Sequence, residues 1–176
     1  MTLSFQKENW YDLMDFDLWG SFVYKGHSFD LSRLTRGNVS RAIIEDNKHI
    51  TLQLEEAKKA LYNHLKRIAL ETRTHLLVWS GGEYQPINQL PHYHTAIKLS
   101  RRDNMDKIID LLNDDWKDKN PSSHKNPSAL VVPFIKGLDG INYIEKHKDK
   151  WIDTFCPKRA VRCKKNRCKW VSAFRL

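Results

Sequence analysis

Pro91-His92-Tyr93-His94-Thr95-Ala96-Ile97 decides how this chain is read. Its aromatic and β-branched residues suit a strand, where successive side chains point to opposite faces. His92 and His94 therefore project together, and Tyr93 packs on the other side. Two imidazoles aimed at one point are half of a metal site.

Immediately upstream, His75-Leu76-Leu77-Val78-Trp79-Ser80 is a nearly continuous apolar strand, which Gly81-Gly82-Glu83 is expected to end. A loop from Tyr84 to Leu90, containing Pro86 and Asn88, makes the two strands an antiparallel hairpin. Before it, residues 51–72 carry Leu54, Ala57, Leu61, Leu65 and Ile68 at three- and four-residue intervals, the stripe of a long helix packed on a sheet. Asn38 to Ile44 reads as a separate short helix capped by Asn38, and Asp17 to Tyr24 as a first strand.

Downstream, Asp103 is expected to cap a helix carrying Met105, Ile108, Ile109, Leu112 and Trp116. Residues 129–135 form another strand, which Pro133 confines to a sheet edge or a bulge. Asp139 then caps a short helix, Ile141 to His147, anchored to the sheet by Ile141, Ile144 and the nearby Trp151. The pattern predicts an α+β domain with a central antiparallel sheet of about five strands and flanking helices. It occupies residues 1–155, with a basic tail over 156–176 that belongs to the same domain or to its nucleic-acid-binding edge.

The 176 residues carry a net charge of +9, with 40% hydrophobic and 29% charged residues. This is globular composition, and its basicity favours a polyanionic partner, nucleic acid before an anionic membrane. No apolar run reaches the roughly 18 residues of a membrane span, and Met1 to Glu8 lacks the layout of a signal peptide. No P-loop is present, which leaves no recognisable NTPase motor. Cys156, Cys163 and Cys168, with His147, could be considered for zinc. Their C-x6-C-x4-C spacing fits no common arrangement, and a reduced, free set in a reducing compartment is expected.

Glu83 ends one strand of the hairpin and the two histidines sit on the other, so the three can converge. Two nitrogens and one oxygen with open positions suit Mn²⁺, or another divalent ion that also binds a substrate phosphate. Tyr143 and Lys146, three apart, share a helix face. Tyrosine, ammonium and metal triad together form the parts for covalent phosphodiester transfer. The tail adds Lys158, Arg159, Arg162, Lys164, Lys165, Arg167 and Lys169, candidates for phosphate contacts.

Pro91-His92-Tyr93-His94 resembles the His-hydrophobic-His motif of the HUH endonucleases. Tyr143-Ile144-Glu145-Lys146 resembles the Y-x-x-K motif of their replication-initiator (Rep) branch, in the matching order. Trp19 to Tyr24 lies where that family carries its first motif. The resemblance covers roughly residues 75–99 and 137–148, and it implies the HUH variant of an RRM- or ferredoxin-like fold. It further implies Tyr143 as nucleophile, His92, His94 and Glu83 as ligands of Mn²⁺ or Mg²⁺, and Lys146 as assisting cation. The implied reaction nicks single-stranded DNA at a replication origin through a 5′-phosphotyrosine link and starts rolling-circle replication. Helicase and polymerase would come from separate or host proteins. The compartment would be a prokaryotic cytoplasm, or the host nucleus for a eukaryotic virus, with no membrane partner. A relaxase or single-tyrosine transposase is the alternative within the superfamily, although the third histidine in the metal cluster and the early tyrosine usual in relaxases are not evident here. A non-catalytic nucleic-acid-binding module is the alternative outside it.

Overall fold

The computed structural model describes residues 14–24, 39–84, 90–120, 127–137 and 140–157, with the backbone alone for 39–53. Five strands and three helices follow in the order β1 (Leu18–Val23), α1 (Val39–Thr72), β2 (Leu76–Tyr84), β3 (Pro91–Leu99), α2 (Met105–Lys119), β4 (Ala129–Pro133), α3 (Gly140–Lys146) and β5 (Asp149–Phe155). The sheet order is β4-β1-β3-β2-β5, and every neighbouring pair is antiparallel. The α+β class with an antiparallel sheet of five strands is therefore as the sequence predicts. The histidine strand lies at the centre, paired on both sides.

Alternation sorts the sheet into two faces. Leu18, Phe22, Leu76, Val78, Tyr93 and Ile97 join Ala57, Leu61, Leu65 and Ile68 of α1 and Ile108, Leu112 and Trp116 of α2 in one buried core. Each leucine, isoleucine, valine or phenylalanine among them contributes about 1.5–3 kcal/mol when buried. The opposite face holds a smaller cluster of Phe16, Trp79, Ala96 and Ile144, the last supplied by α3. One face thus carries the main core, and the other is left for α3 and polar chemistry.

Several elements differ from expectation. The two helices expected before β2 are one 34-residue helix. Glu45 to Ile50 contains neither Gly nor Pro, so nothing breaks it. Asn38 and Asp139 lie outside the described residues. Asp103 does not cap α2: Asn104 holds the N-cap without a side-chain bond, and Asp103 pairs with Arg101 at 2.5 Å. Trp151 does not anchor α3; it lies on β5 and packs beside Phe155 on the main core.

The largest difference is at Gly81-Gly82, which continue β2 to Tyr84 instead of ending it. Both glycines are sites of close approach. A Cβ on Gly82 would lie 2.5 Å from the Tyr93 ring, and one on Gly81 would lie 2.7 Å from the His147 ring. The pair is a gap for side chains on both faces rather than a turn. By remaining in the strand, it puts Glu83 directly opposite His92 in the β2–β3 register.

β4 lies at the sheet edge, as Pro133 requires. β4 and β5 run in the same direction at opposite edges, so the segment between them, α3 included, crosses the sheet. That crossing carries Tyr143 over the histidines.

Candidate metal and nucleophile site

His92 and His94 emerge side by side from β3, with their Nε2 atoms 2.9 Å apart. Glu83 Oε1 lies 3.1 Å from His92 Nε2 and 3.8 Å from His94 Nε2. The three residues expected to converge do converge. Tyr93, between the histidines, faces the main core, and its hydroxyl donates to Asp149 Oδ2 at 2.7 Å.

A fourth member comes from the end of α3. His147 Nδ1 lies 3.2 Å from Glu83 Oε2, and its ring stacks at 5.6 Å on His94. Donor atoms of Glu83, His94 and His147 all lie within 4.8 Å of one another, a group that could hold a metal ion. Sequence reasoning set His147 beside the cysteines instead. The only signal in the sequence is its spacing of four residues from Tyr143. Of the cysteines, Cys156 meets His75 Nε2 at 3.5 Å, while Cys163 and Cys168 lie outside the described residues.

The donor set fits a divalent cation. Two ring nitrogens 2.9 Å apart repel unless a proton or a cation lies between them. Bonds of about 2.1 Å place neighbouring ligands roughly 3.0–3.4 Å apart, close to most of these separations. His94 Nδ1 and His147 Nε2 are buried without a hydrogen-bond partner, so hydrogen bonding has not used up the rings. Burial above all, together with the neighbouring His92 and His147, lowers the pKa of His94 to about 3. Burial also lowers His92 and His147, against the opposing pull of Glu83. Neutral imidazole is the form that binds metal.

Tyr143 sits over this cluster, 42% exposed, with its ring 4.6 Å from that of His94. Its hydroxyl donates to Glu83 Oε1 at 3.1 Å. Burial raises its pKa above 10, and the hydrogen bond to Glu83 raises it further. Lys146, three residues on, is exposed like Tyr143 and forms no ion pair among the described residues. No family model, curated protein or solved structure matches this chain.

The seven tail cations, Lys158, Arg159, Arg162, Lys164, Lys165, Arg167 and Lys169, lie outside the described residues. No helix among the described residues is long and apolar enough to cross a membrane.

Proposed function

We propose that the chain is a metal-dependent single-stranded DNA endonuclease and strand transferase that initiates rolling-circle replication. The observation that carries this is the 3.1 Å hydrogen bond from Tyr143 to Glu83, the carboxylate around which three histidines gather. A nucleophile and a Lewis-acid site share one oxygen. That geometry suits attack by Tyr143 on a phosphodiester seated at the cluster.

In this scheme His94, His147 and Glu83 hold Mn²⁺ or Mg²⁺, with His92 completing the set. A divalent ion held by these residues would supply Lewis-acid activation of the phosphodiester. The Tyr143 oxygen attacks phosphorus, the O3′–P bond breaks, and the 5′-phosphate remains on the tyrosine. The phenolic proton has an acceptor in Glu83 or in water, and the departing O3′ takes a proton to leave a free 3′-OH. Lys146 offsets negative charge on the phosphate. Reversal of the transfer rejoins the strand. The partner would be single-stranded DNA at an origin, with helicase and polymerase supplied separately.

The third histidine favours a relaxase as the second reading, and the early tyrosine of that class is the point of difference. Incubation with Mn²⁺ and a randomised single-stranded DNA pool tests both. Wild type should form a covalent protein–DNA adduct, and Tyr143→Phe should not. An adduct that persists in Tyr143→Phe and maps to Tyr11 or Tyr24 would favour the relaxase reading. A complete absence of adduct from wild type would leave a binding module.

A further inference from the structure

A cleft of about 350 Å³ opens directly beside the nucleophile on the β4 side of the site. His94 and Tyr143 form one wall, Trp19 and Ser21 of β1 the floor, and Val132 to Ile135 the outer rim. We propose that this cleft seats one unstacked nucleobase next to the scissile phosphate and favours thymine. The proposal rests on the nuclease reading for the position of the phosphate, and on the cleft alone for the base.

Continuity with the reacting group decides the occupant. Tyr143 and His94 belong to both the cleft and the metal cluster, so a phosphodiester at Tyr143 Oη places an adjoining nucleoside at the cleft mouth. The Trp19 ring lies nearly parallel to the His94 ring, 5.7 Å away at an interplanar angle of 20°. It is also braced from above by Gly140, where a Cβ would come within 3.0 Å of the indole. The part of the indole that still lines the cleft gives a base an aromatic surface to pack against.

The remaining wall sets the preference. Val132 and Ile135, 38% and 61% exposed, give the rim an apolar surface open to a bound group. The lining is almost wholly apolar, and Ser21 contributes the one hydroxyl of its floor. Guanine would lose hydration at several donors and acceptors without replacement. Thymine has the fewest such groups to satisfy and offers its methyl group to Val132 and Ile135.

Binding of labelled (dT)₅, (dC)₅, (dA)₅ and (dG)₅ to the full chain in EDTA, read by anisotropy, separates the base term from the chemistry. Wild type should bind (dT)₅ most tightly. Trp19→Ala should lose roughly tenfold on (dT)₅ and the ranking should flatten, while Trp19→Phe should retain most of it. The circular dichroism of each variant reports whether it has folded. In adducts from a randomised pool with Mn²⁺, thymine should be enriched at one nucleotide adjoining the tyrosine-linked phosphate. An unchanged ranking in folded Trp19→Ala, or adducts with no preference at either adjoining nucleotide, overturns the proposal. An absence of adducts with the (dT)₅ preference intact and Trp19-dependent would sink the nuclease reading and leave the base cleft standing.

Discussion

Tyr143 donates its phenolic hydrogen to Glu83 Oε1, the oxygen that also lies 3.1 Å from His92 Nε2. Tyr143 and the carboxylate therefore hold each other in place. Burial and this bond keep the phenol protonated beyond its usual pH. Glu83→Gln removes the charge, so the Tyr143 ionisation should move down. Ultraviolet titration against Tyr143→Phe would isolate that one tyrosine. No movement would mean that burial alone sets it. The same variant should lose adduct formation.

His147 should matter to metal binding as much as His94 does. Its Nδ1 reaches the second Glu83 oxygen at 3.2 Å, and its own Nε2 is buried and unpaired. His147→Ala should weaken Mn²⁺ binding about tenfold or more by calorimetry, in line with the loss of a ligand or of its direct support. Lys146→Ala, which leaves every nitrogen donor in place, should bind Mn²⁺ normally. Equal affinity for His147→Ala and wild type would remove His147 from the site.

Gly81→Ala and Gly82→Ala should fail differently. At Gly82 the methyl meets the Tyr93 ring at 2.5 Å, deep in the main core, so the cost should appear as stability, about 1–3 kcal/mol by urea unfolding. At Gly81 it meets the His147 ring at 2.7 Å, and the loss should appear first in Mn²⁺ affinity. Two variants with the same profile would mean the strand itself, rather than its two faces, is sensitive.

His64 supplies an acid-sensitive element on the main core. It is buried between α1 and α2, where Nε2 donates to the Leu112 carbonyl at 3.1 Å. Burial lowers its pKa to about 4 from an unfolded value of 6.5. Above pH 6.5 it is neutral in both states and its contribution is complete. Between 6.5 and 4 the unfolded chain takes up a proton that the folded one refuses, so stability falls, by on the order of 3 kcal/mol. The site histidines titrate in the same direction, so the difference between wild type and His64→Gln is the quantity to measure. Urea midpoints at pH 7.5 and 4.5 should converge for the pair, and parallel falls would exclude His64 as a cause.

Periodicity made the sheet and its two packing helices legible, because apolar side chains recur where burial requires them. The stripe from Leu54 to Ile68 and the alternation around Tyr93 needed no tertiary information. Gly81-Gly82 misled because glycine marks turns and close approaches alike, and only the rings of Tyr93 and His147 reveal which applies. β5 was not singled out because its alternation, Trp151 and Phe155 against Lys150 and Ile152, lies among charges. The Glu83–His92 pairing could be read from a hairpin. His147 could not, because its place depends on how a helix crosses strands that are distant in sequence.

That crossing has a further consequence. The stretch that bears Tyr143 leaves the sheet at β4, its outermost strand on one side, and rejoins it at β5, its outermost strand on the other. Four strand spacings, about 19 Å, separate the two attachment points. Outer strands are the parts of a sheet most easily peeled or recruited by another chain. Anything that loosens or captures either border would slacken the strap above the histidines and shift the tyrosine without touching it. The placement of Tyr143 above the histidines thus depends on both borders of the sheet.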